Sequence, residues 1–377
     1  LVHLGFDVTL LQKLPQLLGP LDDEVARLVE DHVKNHAVNV VLNDAAAGFA
    51  QLDGGEIDVQ TASGKTYTAD IVILAIGVRP DTTLAKAAGL EIGERGGIRV
   101  DEHMQTSDPD IFAVGDVVEV KDVVTGEWSL MALAGPANRQ GRIAADVIAG
   151  RDSSFRGVQG TAIIGLFGGA ADWTGVNERT LKRIGDDDYE KVYIFPNSHA
   201  GYYPGAKMIG MKIIFRKSDG RLLGAQALGH DGPAVDKRIS ALAVALQMKA
   251  TVYDLEEAEL CYAPQFGSAK DAVNFAGMVA ADVLCGDMPV THWDALDGAF
   301  LLDVRQPVVL VVENVPGAVN IPLPQLRARL DELPNDREIF VICRSAQRAY
   351  YATRILLQNG FNAKNLSGGT LARAMYA

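Results

Sequence analysis

The chain of 377 residues, 48% of them hydrophobic, is long enough for two or three domains with buried α/β cores. Its formal net charge of −13 and the lack of an apolar run of transmembrane length argue against nucleic acid and membranes as partners. The three cysteines, Cys261, Cys285 and Cys343, are far apart and form no CxxC pair, which argues against a metal site and is typical of a reducing cytoplasm.

The first 95 residues have the pattern of part of a dinucleotide-binding domain. A strand over residues 8–11 ends at Gln12, where a βαβ unit normally carries an acidic residue for the adenosine ribose. An amphipathic helix over 22–35 and a strand over 38–42 follow. The chain contains no G-x-G-x-x-G loop, so this segment alone supports no cofactor assignment.

A hairpin over residues 57–67 precedes an apolar strand over 71–76, which runs into Gly77-Val78-Arg79-Pro80. This order of elements is common where the chain passes from a pyridine-nucleotide-binding domain back into a flavin-binding domain. An ordinary buried strand before a turn explains it equally well.

Residues 106–116, Thr-Ser-Asp-Pro-Asp-Ile-Phe-Ala-Val-Gly-Asp, form the strongest motif of the first half. A short buried strand over 111–114 would bring Gly115 close to a ligand, because glycine has no Cβ to block the approach. Asp116 would offer a carboxylate to sugar-type hydroxyl groups. A helix beginning at Ala134 would present free N–H groups to a polar ligand edge.

This motif resembles flavin-dependent pyridine nucleotide–disulfide oxidoreductases. The resemblance implies that FAD and NAD(P)H are the cofactors, and it places cofactor-binding residues at Gln12, Gly77, Gly115, Asp116 and Ala134.

Residues 160–277 predict an antiparallel sheet with two helices. The expected strands cover 191–195, 208–215 and 221–228, and the expected helices cover 236–248 and 269–279. The pattern resembles the interface domain of the disulfide oxidoreductases, which implies a homodimer. Cys261 and Cys285, at a strand edge and a helix end, are interpreted as structural.

The sequences at 197–204 and 262–271 resemble the coenzyme A–disulfide reductase branch, in particular its members with a C-terminal rhodanese domain. The resemblance implies a redox cysteine near the N-terminus, assisted by tyrosines of the partner subunit: Tyr262 and one of Tyr202 or Tyr203. We assign Tyr203 and Tyr262 to catalysis and Tyr202, His199 and Lys270 to substrate binding. From the residues alone, the Tyr-Tyr-Pro sequence is a core or turn element and His199 a structural hydrogen-bond partner.

Near the C-terminus, a buried strand over 339–342 runs into the loop Cys343-Arg344-Ser345-Ala346-Gln347-Arg348 and then a helix over 349–358. Cys343 would face the N-terminus of that helix, where free N–H groups favour an anion. Arg344 and Arg348 add positive charge, and both effects lower a thiol pKa. A structural cysteine is the alternative, but polar loop residues rather than core residues follow Cys343.

This loop resembles the active-site loop of the rhodanese sulfurtransferases. Leu-Leu-Asp-Val-Arg at 301–305, Pro-Gly-Ala-Val-Asn-Ile-Pro at 316–322 and Leu-Ser-Gly-Gly at 366–369 extend the resemblance. It implies that Cys343 carries a sulfane sulfur as a persulfide, with Arg344 and Arg348 beside it. The chain departs from the family at Glu313-Asn314-Val315, where Gly-His is usual, and has no Trp after Gly369.

Taken together, the chain is interpreted as α/β, with partial doubly wound FAD- and NAD(P)-binding domains, an α+β dimerisation domain and a rhodanese-like α/β domain. The expected division is 1–95 NAD(P)-binding, 96–155 FAD-binding, 156–280 dimerisation, 281–294 linker and 295–377 rhodanese-like. The first FAD segment, both Gly-rich loops and the redox cysteine would precede Leu1, so we expect a fragment of a longer polypeptide rather than a degenerate relative.

Three functions are compatible with these patterns. The first is a flavoenzyme that reduces a disulfide, persulfide or polysulfide of coenzyme A, with Cys343 supplying sulfur. The second is a sulfurtransferase on a dimeric scaffold, and the third is an assembly module without activity. The sequence leaves open the choice between NADH and NADPH and the choice among the sulfur substrates.

Overall fold

The computed structural model describes residues 1–230 and 232–376, which divide into two compact units. One unit contains Leu1–Asp44 and the described residues from Thr161 onward. The other contains Ala45–Gly160.

Numbered in chain order, the strands are β1 Val8–Leu11, β2 Val38–Val41, β3 Ala46–Gln51, β4 Ile57–Thr61, β5 Thr66–Ala69, β6 Ile98–Arg99, β7 Val118–Lys121, β8 Trp128–Leu130, β9 Ala162–Leu166, β10 Gly169–Gly175, β11 Tyr189–Ile194, β12 Ile209–Arg216, β13 Leu222–Gly229, β14 Val290–Thr291, β15 Phe300–Asp303, β16 Val319–Asn320, β17 Ile339–Ile342 and β18 Ala363–Leu366. The helices are α1 Asp23–Lys34, α2 Thr83–Ala87, α3 Ala134–Ile148, α4 Glu178–Ile184, α5 Gly232–Gln247, α6 Val252–Glu257, α7 Ala272–Leu284, α8 Pro307–Leu310, α9 Gln347–Gln358 and α10 Gly369–Tyr376.

The N-terminal segment of the first unit is a βαβ element. Strands β1 and β2 pair in parallel, with Val8 opposite Val38, and α1 connects them. This helix has an acidic first turn and buries Val25, Val29 and Val33 on one face, as its amphipathic pattern predicts.

A five-stranded antiparallel sheet, in the order β11-β12-β13-β10-β9, forms the centre of this unit. Helix α5 packs along β10 and β13. Buried residues of α1 form one apolar cluster with Ala171 of β10, Tyr193 of β11 and Met375 of α10. The N-terminal helix, the sheet and the C-terminal helix therefore share a core.

The C-terminal region is a parallel sheet in the order β14-β18-β17-β15-β16. All four residues of β17 are buried, as expected for a central parallel strand. Its core includes Leu302, Val341, Ala352 and Leu356, so α9 packs against the strand that precedes it.

The second unit has two three-stranded sheets, β3-β4-β5 and β6-β7-β8. Val118, Val120 and Ala144 lie in its buried cluster, which joins β7 to α3. The helices in residues 1–230 and 232–376 are all too short or too polar to act as membrane spans.

The α/β class predicted from the sequence is confirmed, but two predicted strands are wrong. Residues 71–76 form no strand, and Ile71, Ile73 and Ile76 are exposed by 61%, 64% and 86%. No strand within the described residues pairs with this segment, and an extended chain without a neighbour has no ladder to join. Residues 111–114 contain only an isolated bridge between Phe112 and Gln105.

Two strands of the central sheet were not predicted. Strands β9 and β10 contain the residues Ala-Ile-Ile-Gly-Leu and Gly-Ala-Ala-Asp-Trp-Thr-Gly, and glycine and alanine are depleted in strands. They form because β10 pairs on both sides, with β13 and β9.

Candidate active site

Cys343 lies where the buried strand β17 ends, and it is itself buried, with 1% of its surface exposed. Helix α9 begins four residues later at Gln347. The backbone N–H of Ala349, in the first turn of α9, donates a hydrogen bond to Cys343 Sγ at 3.3 Å. The predicted strand–loop–helix is confirmed, and the sulfur lies at the positive end of the helix, where an anion is favoured.

The loop around the sulfur is short and fixed by hydrogen bonds. Ala346 has a left-handed backbone, with φ of 64°, and its carbonyl accepts hydrogen bonds from Tyr350 N at 2.8 Å and Asn365 Nδ2 at 3.1 Å. Arg344 is exposed and Arg348 half-buried. Two cations therefore belong to the loop that surrounds Cys343.

A buried ion pair lies in the sheet next to this loop. Arg305 is completely buried and donates to both carboxylate oxygens of Asp303. It also donates to Glu313 Oε2 at 2.9 Å, and the same oxygen accepts from Thr370 Oγ1 at 3.1 Å. Glu313, which departs from the rhodanese pattern, thus has a structural role that the sequence did not indicate.

The turn at Gly368 and Gly369 contacts the loop from the other side. Both glycines have positive φ, 74° and 60°. A Cβ on Gly369 would lie 2.2 Å from the carbonyl oxygen of Cys343, so only glycine fits there. The next residue, Thr370, donates its N–H to that carbonyl at 2.8 Å.

Trp293 is a site neighbour that sequence analysis missed. Its indole Nε1 donates to the carbonyl of Gly369 at 2.9 Å. No tryptophan follows Gly369, where the rhodanese pattern would have one, but Trp293, just after β14 of the same sheet, reaches this turn. No spacing pattern connects these two positions, which are 76 residues apart.

The tyrosines predicted to act together meet in one place. The hydroxyl groups of Tyr202 and Tyr262 lie 3.1 Å apart, and both residues are exposed. The hydrogen bond to Tyr202 raises the pKa of Tyr262. Tyr262 is therefore paired with Tyr202, which had been assigned to substrate binding.

Tyr203 packs instead against His199, with ring centroids 5.8 Å apart. Both ring nitrogens of His199 are engaged, Nδ1 with Ser198 Oγ at 3.1 Å and Nε2 with the carbonyl of Pro204 at 3.2 Å. His199 thus holds the loop that carries the tyrosines. Lys270, the remaining predicted substrate contact, is exposed.

Three of the residues predicted to bind flavin, Gly115, Asp116 and Ala134, lie in the second unit. Gly115 has φ of 89°, and its N–H donates to Gln140 Oε1 at 2.7 Å. Asp116 is exposed, and α3 begins at Ala134, which is also exposed. A Cβ on Gly115 would lie 4.0 Å from Ala137 Cβ, its nearest atom beyond the neighbouring residues of the chain. With the exposed carboxylate of Asp116 and the exposed start of α3, this arrangement fits a polar ligand rich in hydroxyl groups. Gln140 was not predicted as a member of this group.

The other two residues predicted to bind a nucleotide, Gly77 and Gln12, form no such group of polar contacts among the described residues. Gly77 is exposed with φ of 96°, in the segment that does not form a strand. In the first unit, Gln12 uses its side-chain oxygen to accept the N–H of Leu14 at 3.2 Å.

A cluster of buried charges, which the sequence did not predict, lies in the first unit where the starts of α1 and α4 meet β12. The ammonium of Lys212 forms ion pairs with Asp22, Glu24 and Glu178. Burial opposes ionisation of Glu178, but Lys212 and Lys191 outweigh it and lower its pKa to about 2. Burial, reinforced by Glu24, raises the pKa of Asp22.

Next to this cluster lies a polar cavity of about 320 Å³. The three carboxylates have oxygens within 4.8 Å of one another, a spacing suited to a metal ion. Here the ammonium of Lys212 takes the position of the cation.

Comparison with known families gives three matches along the chain. Residues 1–141 match the pyridine nucleotide-disulphide oxidoreductases. Residues 170–273 match the dimerisation domain of that family. Residues 289–372 match the rhodanese-like domain.

Two solved structures resemble nearly the whole chain. Reduced CoADR-RHD of Bacillus anthracis is 44% identical, with a TM-score of 0.94 over 98% of this chain and 67% of that chain. A NAD-dependent persulfide reductase from A. fulgidus is 37% identical, with a TM-score of 0.88 over 99% of this chain and 68% of that chain.

Similar curated proteins are longer than this chain. A CoA-dependent NAD(P)H sulfur oxidoreductase of Pyrococcus abyssi is 36% identical over 268 residues, which cover 71% of this chain and 58% of that protein. The chain thus spans less than two thirds of the length of such relatives.

Proposed function

Because the chain belongs to the pyridine nucleotide-disulphide oxidoreductase family, in the branch with a C-terminal rhodanese-like domain, we propose that it is part of a flavin-dependent NAD(P)H oxidoreductase for sulfur compounds of coenzyme A. Its substrates are a disulfide, persulfide or polysulfide of coenzyme A, and Cys343 carries sulfane sulfur as a persulfide. The observation that carries the proposal is Cys343 Sγ at the N-terminus of α9, 3.3 Å from the N–H of Ala349.

Transfer of a sulfur atom from the donor to Cys343 requires no outside oxidant. The thiolate attacks the outer sulfur of a donor such as thiosulfate, a new S–S bond forms, and sulfite leaves with the electron pair of the broken bond. An acceptor thiolate, such as that of coenzyme A, then takes the outer sulfur from the persulfide. This second exchange yields a coenzyme A persulfide and restores the Cys343 thiolate.

The surroundings of Cys343 support the anionic forms in this cycle. The N–H of Ala349 and the start of α9 stabilise negative charge on the sulfur. Arg344 and Arg348 attract an anionic donor to the loop. Only four residues separate Cys343 from Arg348, which suits a single transferred sulfur atom.

The second unit supports the flavin assignment. Gly115, Asp116 and the start of α3 at Ala134 would hold FAD, which when bound supplies electron transfer between NAD(P)H and sulfur. The proposed acid–base pair is Tyr262 with Tyr202, because a phenol can supply a proton to a departing thiolate. The choice of NADH or NADPH and the five-part division of the chain stay predictions.

We further propose a homodimer, on the basis of the dimerisation-domain match. Small thiols and their persulfides are the proposed substrates. All three cysteines are free, which supports a reducing compartment such as the cytoplasm.

A sulfurtransferase without reductase activity is the second candidate. It is favoured by one observation: the groups proposed for sulfur transfer, namely the N-terminus of α9 and the turn at Gly368 and Gly369, contact Cys343 directly.

The test is NAD(P)H oxidation with thiosulfate and coenzyme A, compared between the wild type and Cys343→Ser. We expect the rate with this donor to collapse in the variant, whereas preformed coenzyme A persulfide still supports oxidation. Equal rates with thiosulfate would show that Cys343 does not feed the reductase. A sulfur adduct on Cys343 without NAD(P)H oxidation would support the second candidate.

A further inference from the structure

The glycine turn beside Cys343 is also in contact with the dimerisation domain. The backbone N–H of Tyr193, in β11, donates a hydrogen bond to Ser367 Oγ at 3.0 Å. Tyr193 and Ser367 are 2% and 3% exposed. This bond thus links two domains in the interior of the unit.

Gly368 is closely packed against the same strand. A Cβ on Gly368 would lie 3.0 Å from Cβ of Tyr193 and 3.1 Å from the ring of Phe195. These contacts leave the turn no room to move toward β11.

On its other side the turn contacts the Cys343 loop. The hydrogen bond from Thr370 N and the lack of a Cβ on Gly369 fix the carbonyl of Cys343, and Leu371 N donates to the carbonyl of Arg344 at 3.0 Å. Five consecutive residues, 367–371, therefore connect β11 to the peptide groups at the start of the loop.

We propose that Ser367 is a positioning residue for sulfur transfer, through which β11 of the dimerisation domain sets the geometry of the Cys343 loop. This inference rests on the proposed persulfide role of Cys343. The rhodanese-like domain is in this view not an independent module on a flexible tether. Contacts between the dimerisation domain and the turn at Gly368 and Gly369 set the geometry of its Cys343 loop.

The test uses thiosulfate as donor and cyanide as acceptor, so that sulfur transfer is measured without NAD(P)H. Because a displacement of about 1 Å at a reacting atom can cost up to about 10²-fold in rate, we expect Ser367→Ala to lower kcat about tenfold. The KM for thiosulfate should stay within about twofold, because only positioning in the transition state is lost. Ser367→Thr keeps a hydroxyl acceptor and should restore most of kcat.

A second readout is the rate at which thiosulfate loads sulfur onto Cys343 in a single turnover, followed by the mass of the intact protein. Cys261 and Cys285 are exposed, so both are first replaced by serine. Ser367→Ala should lower this loading rate about tenfold, because the loop no longer holds the sulfur against the N–H of Ala349. A residue with a merely structural role would leave the loading rate unchanged.

Tyr376→Phe is the matched control for stability. It removes the hydroxyl that lies 2.8 Å from Tyr193 OH, on the side of the ring remote from Ser367. We expect it to lower the melting temperature without changing kcat or the rate of sulfur loading onto Cys343.

The possible outcomes separate this inference from the proposed function. If Cys343→Ser abolishes sulfur transfer but Ser367→Ala retains the wild-type kcat and the wild-type rate of sulfur loading, the positioning role is wrong and the persulfide role stands. If Cys343→Ser retains transfer, both are wrong. Should Ser367→Ala not fold, Phe195→Leu tests the same contact at Gly368, with a fall in kcat of about threefold expected and an unchanged kcat contradicting the inference.

Discussion

The ammonium of Lys212 and the carboxylate of Asp22 form an ion pair at 2.7 Å although the two residues are 190 positions apart. Their side chains are 0% and 4% exposed. With Glu24 and Glu178, also paired to Lys212, they connect α1 and α4 to strand β12. One cation thus neutralises acidic residues from two helices.

We expect Lys212→Met to destabilise the protein by about 3–5 kcal/mol, because it leaves buried carboxylates without their cation. Denaturant unfolding gives the free energy. Lys182→Met, at an exposed position of α4, is the control and should leave the unfolding free energy unchanged. Equal stability of the Lys212 variant and the wild type would show that the buried pairs contribute no net free energy.

Asp172 predicts a pH dependence of stability. Its carboxyl group is buried in β10, and Oδ1 has no hydrogen-bond partner among the described residues. Burial, with a smaller contribution from Asp236, raises its pKa from 3.8 to about 7. The folded state therefore binds the proton more tightly, and the resulting stability is lost as the pH rises from about 4 to about 7.

We expect Asp172→Asn, which cannot ionise, to stabilise the protein at pH 8 by on the order of 2–4 kcal/mol and to change little at pH 4. Thermal melts across this range provide the measurement. Asp187→Asn, at an exposed site, should shift the melting temperature by the same small amount at every pH. A gain for Asp172→Asn that is equal at pH 4 and pH 8 would contradict the raised pKa.

A group of histidines predicts a loss of stability in acid. His230 lies with its ring centroid 5.0 Å from that of His32, which is 4.5 Å from that of His36. Burial and the neighbouring charges of His32, Lys207 and His36 lower the pKa of His230. Stability from this residue is complete above pH of about 6.5 and is lost as the pH falls through the lowered value.

His230→Gln should therefore melt at a higher temperature than the wild type below pH 6 and similarly at pH 8. His103→Gln is the control of opposite sign, since the hydrogen bond to the carbonyl of Ser153 raises the pKa of His103. It should lose stability relative to the wild type in acid. The same response from both variants would rule out the histidine contacts as the cause.

Tyr262 is expected to affect only the reductase reaction. If it supplies a proton to the departing thiolate, Tyr262→Phe should lower NAD(P)H-dependent reduction of coenzyme A disulfide by about 10²-fold. Transfer from thiosulfate to cyanide should stay at the wild-type rate. Tyr351→Phe, at a half-exposed position of α9, is the control, and an unchanged reductase rate for Tyr262→Phe would exclude the acid–base role.

The sequence predicted best where local pattern and local structure coincide. Cys343 could be placed because an apolar strand, a polar loop and a helix follow one another within 20 residues. Helix α1 was predicted from its 3.6-residue period, and its ends differ by one residue from the expectation. In both cases the signal depends on nearest neighbours along the chain.

Prediction from the sequence failed where the contacting residues are far apart in the chain or where a strand has no pairing neighbour. The apolar run at 71–76 has strand-like residues but no pairing neighbour among the described residues. Strand β10 has poor strand residues but a neighbour on each side. The ion pair between Lys212 and Asp22 and the hydrogen bond between Tyr193 and Ser367 join residues more than 150 positions apart, and no periodicity encodes such contacts.

We also expect the exposed run from Ile71 to Val78 to promote association between copies of this chain at high concentration. Four of its large apolar side chains, Ile71, Ile73, Leu74 and Ile76, are each more than 60% exposed, and an extended apolar segment of this kind is a template for association between copies. The net charge of −13 opposes such contacts, but salt screens that repulsion and sulfate strengthens apolar attraction. Ammonium sulfate should therefore cause turbidity sooner than an equal ionic strength of sodium chloride.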